Sequence, residues 1–262
     1  YGEQALEIVD VLTRDPGAAS ALEALRRREP FVDITIAEGA RPAMLAALVG
    51  ASLAMAGSAY QGVFRNPLAD PYLLGVSAGA GLGAVLTLGF GLSITLGPFS
   101  ALPAAAFLGA VVAVGASVLI SRGSFRDPAT LLLSGIAVAA LFSACQTYLL
   151  SALDVTRSRE VLSWLFGRLA TDGWAPVTLL LPYVALSGAV LLWHARRLDV
   201  LRVGDDEARS LGLDPARTRF VVIAAATLLT ASAVAVSGLI AFVGLVVAPH
   251  LGGRVRHPNP AR

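Results

Sequence analysis

Lysine is absent from this sequence: all twenty of its basic residues are arginines. Charge of either sign is scarce, at 15% of 262 residues against 56% hydrophobic, and the mean hydropathy is +0.71. Soluble domains carry about a quarter charged residues, so this composition belongs to a bilayer rather than to water. A net charge of +2 with no basic stripe excludes nucleic acid as a partner. The single cysteine, Cys145, excludes a disulfide or thiolate cluster within the chain. The three histidines, His194, His250 and His257, stand far apart at the ends of apolar runs. No HExxH, no CxxC and no paired carboxylates within the runs point to a metal or catalytic centre. GxxxxGK[ST] is also missing, so ATP is not cradled by this motif here. The first residues, YGEQALEIVDV, lack the basic start and apolar core of a signal peptide.

Long apolar runs are abundant. They fall near 43–64, 72–96, 101–121, 129–151 and 175–194, with one of some thirty residues at 220–249. A crossing needs about 20 apolar residues, so the first five predict single spans. Ser237-Gly238 divides the sixth into 220–236 and a stretch near 239–253 that is broken or re-entrant. The expected fold is an all-α polytopic bundle of about seven spans at 43–253. Residues 1–42 form an external loop with short helices at 4–14 and 19–28, and residues 254–262 a cytoplasmic loop.

Orientation follows from the arginines. Seven crossings place 1–42, 97–100, 152–174 and 237–238 on one side, with eight arginines and eleven acids. The other side holds 65–71, 122–128, 195–219 and the C-terminus, with twelve arginines and seven acids. The second side is therefore cytoplasmic. Within it, 195–219 holds six arginines and five acids between two spans, and predicts two short helices joined by a tight turn. Asp205 and Asp206 suit the N-cap and first turn, with Glu207 at the positive end of the dipole. Arg209 suits the opposite end, and Gly212 is placed to close the helix in the left-handed region. Asp214 with Pro215 opens the next helix. Such a knuckle is either a handle for a partner or an ordinary solvated connection.

Four further features stand out. Gly75, Gly79 and Gly83 recur at every fourth position among Ala78, Ala80 and Ala84, which predicts close helix packing or a cavity-lining helix. GAGLG at 79–83 follows no strand and is not a dinucleotide fingerprint. In FRNPLADP at 64–71, Pro67 and Pro71 stop a helix, while Asn66 and Asp70 can bond the freed amides. In 121–130, Asp127-Pro128 is a cap and first-turn pair at the mouth where a gate would lie. The polar residues deep in the runs (Gln61, Ser134, Gln146, Thr147, Thr230, Ser232) are uncharged, which argues against a proton relay. Uphill transport would draw its energy from elsewhere.

ALVGASLAMAGSAYQGVFRNPLADPYLLGVSAGAGLGA, within 46–84, resembles the signature of the FecCD-type permeases, the membrane subunits of ABC importers for iron-siderophores, haem and cobalamin. LLLSGIA at 131–137, ARSLGLDPARTR at 208–219 and GLIAFVGLVVAPHL at 238–251 follow in that family's order. The resemblance implies a homodimer of ten-helix subunits in the bacterial inner membrane, bearing two ATPase subunits and an external, periplasmic or lipid-anchored, substrate-binding protein. This chain then starts after the first helix and stops before the last two. ATP and Mg belong to the ATPase, no cofactor or metal to this chain, and the chain is not itself an enzyme. Asp205, Glu207, Ala208, Arg209, Leu211 and Gly212 match the loop that seats in the ATPase. Asp127, Pro128, Ala129 and Thr130 match the cytoplasmic gate. Gln61, Arg65, Asn66, Pro67, Asp70 and Pro71 belong to the structural motif. Ser77, Ser134 and Gln146 are expected along the translocation path, whose wall for a large chelate needs no charges.

Two departures are visible. Where the family has Arg-x-Pro-Arg before the second helix, this chain has Gly39-Ala40-Arg41-Pro42, leaving Arg41 for docking the binding protein. FVGLVVAPH carries one residue more than the family's FVGLVxPH before Pro249-His250. A channel or secondary carrier that works without ATPases is the alternative, and an integral membrane enzyme a third. The enzyme would need acids or histidines facing each other in the membrane, and the runs contain none.

Overall fold

Among the described residues the apolar runs are helices, and residues of positive φ follow many of the elements: Gly75, Gly91, Gly167, Gly212 and Gly238, with Arg65 and Arg122 at two others. The computed structural model describes residues 31–92, 95–96, 99–122, 125, 127–169 and 173–240, with side chains from residue 41 onward except at 95–100. The expected short helices at 4–14 and 19–28, the segment after residue 240 with Pro249 and His250, and the 254–262 loop lie outside the described residues.

Helix α1 is Phe31–Phe64, with Pro42 inside it. A 3-10 turn, Pro71–Leu74, leads through Gly75 to α2, Val76–Gly89. A two-residue antiparallel pair, β1 (Thr95–Leu96) and β2 (Phe99–Ser100), precedes α3, Ala101–Ile120. Then come α4 (Pro128–Ala152), α5 (Val155–Leu165), α6 (Ala175–Val203), α7 (Asp205–Ser210) and α8 (Pro215–Ser237). Residues 1–43 and 44–262 are separate compact units, and the packing below concerns the second.

Among the described residues, five helices are long and apolar enough to cross a membrane: α3, α4, α6, α8 and the Arg41–Phe64 part of α1. The run expected to cross at 72–96 does not form one long helix. Gly75 adopts φ +87°, separating the 3-10 turn from α2, whose 14 residues make about 21 Å. That is short of the ~30 Å hydrocarbon core. α1 also begins at Phe31, so the end of the segment read as a loop is helical.

α8 lies at the centre. Of its most apolar window 67% is buried, against 22% for α4, whose exposed face includes Leu133, Ile136, Leu141 and Tyr148. Tyr60 from α1 is fully buried on α8, its hydroxyl 3.0 Å from Thr227 Oγ1. Thr230, Ser232 and Ser237 donate to carbonyls of their own helix at 2.8–2.9 Å, as hydroxyls cut off from water must. The glycine stripe is a packing device. A Cβ on Gly79 would overlap the Gly109 carbonyl of α3, one on Gly109 the Gly79 carbonyl, and one on Gly83 the Ala105 carbonyl. α2 and α3 therefore touch backbone to backbone.

Candidate functional site: the arginine-rich end

The apolar stripe of α6 does not stop where its span was expected to. Leu198 and Leu201 are buried while Arg196, Arg197 and Arg202 face outward. One amphipathic helix thus continues through 195–203, which had been expected to belong to the knuckle. The elbow proper is α7 with the turn after it. Gly204 precedes α7, and Asp205 is its first residue rather than its cap. The exit is as expected: Gly212 has φ +78°, its amide donates to Arg209 O at 2.9 Å and the Leu213 amide to Ala208 O at 2.9 Å. These two bonds are a Schellman closure. Asp214 caps α8, accepting from the Ala216 and Arg217 amides at 3.0 and 3.2 Å, with Pro215 in the first turn.

Of the six residues expected to meet a partner, four are displayed. Glu207, Arg209, Leu211 and Gly212 are exposed, and Leu211 keeps 68% of its surface open. Arg209 pairs with Asp206 at 2.7 Å. Ala208 is fully buried under the elbow and Asp205 is turned inward, so these two hold the elbow instead of presenting it.

Asp205 is the centre of an ion cluster. Arg219, buried with 1% exposure, donates Nη1 to Asp205 Oδ2 at 2.9 Å and Nη2 to Oδ1 at 2.5 Å. Arg219 Nη1 also donates to the Phe125 carbonyl at 3.0 Å. Arg65 pairs with the same Oδ1 of Asp205, and its Nε donates to Leu201 O at 2.7 Å. Hydrogen bonds from Arg219, opposed by partial burial and aided by the charges of Arg219 and Arg65, hold the Asp205 carboxyl below the usual carboxylate range. Sequence reading missed Arg219. Its signal was an arginine at the start of an apolar helix whose neighbours at i±3 and i±4 (Pro215, Ala216, Val222, Ile223) include no acid. Such a charge must find its partner elsewhere in the fold.

The other expected residues fall as follows. Asn66 Oδ1 accepts from the Leu68 amide at 2.9 Å and Asp70 Oδ1 from the Tyr72 amide at 2.8 Å, as the proline-rich turn required. Pro67 lies in this turn, Pro71 starts the 3-10 helix, and Arg65 has φ +51°. Burial raises the Asp70 carboxyl, against the Tyr72 amide bond. The Gln61 Nε2 is buried without an acceptor among the described residues. Asp127 accepts from Thr130 Oγ1 and from the Ala129 amide, and these bonds, the Thr130 one foremost, lower its carboxyl; Pro128, Ala129 and Thr130 are the first turn of α4. Ser134 is buried and donates to Ser117 O at 2.8 Å and Leu131 O at 2.7 Å, fastening α4 to α3. Gln146 lies half-buried against Gly81 of α2, and Ser77 is half-buried in α2. Arg41 is half-buried inside α1, next to Pro42. Among the described residues no three His, Cys, Asp or Glu side chains converge as metal ligands.

Five spanning helices with one short exposed elbow define a multi-pass membrane protein. The model of the FecCD transport family matches residues 23–262, and the chain belongs to that family. It is 41% identical over 211 residues to the uncharacterized ABC transporter permease protein YvrB of Bacillus subtilis, covering 79% of this chain and 59% of that protein. Over 210 residues it is 42% identical to the cobalamin import system permease protein BtuC of Halobacterium salinarum, covering 79% and 55%. The hemin transport system permease protein HmuU of Yersinia pestis is 38% identical over 214 residues, at 79% and 62% coverage. The chain thus spans less than two thirds of the length of these relatives. A solved structure described as an inward-facing conformation of a metal-chelate type ABC transporter superposes with a TM-score of 0.72 at 32% identity, covering 80% of this chain and 66% of that one.

Proposed function

We propose that this chain is the membrane subunit of a binding-protein-dependent ABC importer that moves a metal chelate (an iron-siderophore, haem or cobalamin) across the bacterial inner membrane. The observation that carries the reading is the elbow. A six-residue helix and its cap at the arginine-rich end offer Arg209 and Leu211 outward, while Asp205 on the other face is fastened to Arg219 of α8 and to Arg65 in the turn after α1. A short helix laid into a partner's groove transmits force without chemistry of its own. Partner ATPases bind ATP and Mg and supply the work, and a second permease subunit completes the pathway. An external binding protein delivers the cargo, Arg41 contributing to its docking. Relatives named for cobalamin, hemin and Fe(3+)-citrate support the cargo class.

The test reconstitutes the full transporter in proteoliposomes with its ATPases and a binding protein loaded with each candidate chelate. Uptake that requires ATP supports the proposal, whereas equal uptake without nucleotide makes the chain a secondary carrier. Replacing Arg209 and Leu211 together with Asp uncouples ATP hydrolysis from uptake and leaves the membrane fold intact. Wild-type uptake by that variant removes the elbow from the mechanism.

A further inference from the structure

Among the described residues Arg219 is the one arginine that is fully buried, and the proposed function gives it no task. Its contacts join segments far apart in the chain: the turn after α1 through Arg65 and Asp205, the 122–128 loop through the Phe125 carbonyl, and the elbow through Asp205. A buried ion pair is poor evidence for stability, because well-packed apolar side chains do as well or better, and its best-attested use is to fix one arrangement among several. A guanidinium that grips both oxygens of one carboxylate fixes angle as well as distance. Ala208 is buried beneath the same elbow, and Phe125 stacks edge-on against Phe220, the residue after Arg219, with ring centres 5.3 Å apart. Elbow and loop are therefore held through two adjacent residues of α8.

We propose that Arg219, gripping both Asp205 and the Phe125 carbonyl, is the positioning residue that makes the elbow and Phe125, between α3 and α4, move as one body. In this arrangement displacement of α7 by a partner is delivered to the mouth of α3 and α4, and Arg65 holds the same carboxylate to the end of α6. The inference rests on the importer reading for its purpose, but the linkage is a property of this chain alone.

Two measurements test it. In the reconstituted transporter, Arg219→Gln assembles with the ATPases and hydrolyses ATP within about twofold of wild type, while chelate transported per ATP falls at least tenfold. Arg219→Lys keeps the charge but not the fork, and loses less. Retained transport per ATP in Arg219→Gln overturns the proposal. So does a proportional fall of hydrolysis and transport, which would mean that the elbow had simply lost its seat. Separately, spin labels at Ser210→Cys and Arg122→Cys, in the purified chain with Cys145→Ser, report the elbow-to-loop spacing without nucleotide. One narrow distance is expected with Arg219 present, and a broad distribution in Arg219→Gln and Asp205→Asn. Unchanged spacing in both variants sinks the linkage. If wild type shows no ATP-dependent uptake, the importer reading fails while the spin-label result still decides the linkage.

Discussion

Asp205 shows how one carboxylate serves two cations that no local pattern connects to it. Its sequence position, first among three acids at a helix start, predicts a dipole partner and says nothing of Arg219, fourteen residues on, or of Arg65. Removing the carboxylate leaves Arg219 charged, buried and unpaired, so Asp205→Ala costs about 3 kcal/mol or more. Thermal unfolding in detergent should show the loss, and Asp206→Ala, whose side chain is 94% exposed, should show almost none. Because folding lowers the Asp205 pKa, the contribution of the cluster is present at neutral pH and above the ordinary carboxylate value of about 4. It disappears as pH falls through the lowered folded value. Acid titration of wild type should therefore lose stability that Asp205→Asn never had, and the two curves should converge at low pH. Curves that stay parallel would mean that Asp205 does not carry the charge of the cluster.

At the scale of elements, the spacing of glycines in α2 was readable, and the choice between packing and cavity was not. That choice depends on α3, whose Gly109 and Ala105 backbone sits where the α2 side chains would go. Gly83→Val forces the helices apart and costs about 1–3 kcal/mol. Gly115, also in a helix, has open space around its Cβ position. Gly115→Ala should be neutral or stabilise by up to about 1 kcal/mol. Paired melting curves check both, and equal effects would deny the close approach. The caps were legible for a different reason: Asp127 and Asp214 bond amides two or three residues ahead, so sequence neighbours settle them. Ser134 was not, because its acceptor, the Ser117 carbonyl, belongs to another helix.

Over the whole molecule, contacts sort the loops into two ends. Arg65, Phe125, Asp205 and Arg219 meet at one. At the other, Arg157 donates to Gly89 O at 2.5 Å, and the Arg168 amide to Ser237 O at 2.7 Å. This is the same division that alternating crossings drew from the arginine count. With Cys145→Ser as background, an impermeant maleimide should label Arg217→Cys from the cytoplasmic side and Arg159→Cys from outside; the reverse pattern inverts the orientation. The residues alone determined that the chain is a helical membrane protein, which loops share an end, and where the elbow turns. Apolar run length, charge asymmetry and capping each depend on residues near one another in the chain. The tertiary structure alone decided that α2 is short and pressed against α3, that α6 runs on past its span, and that Asp205 faces into the protein toward Arg219. Those outcomes depend on which backbone or charge a distant segment supplies, and no local pattern encodes that.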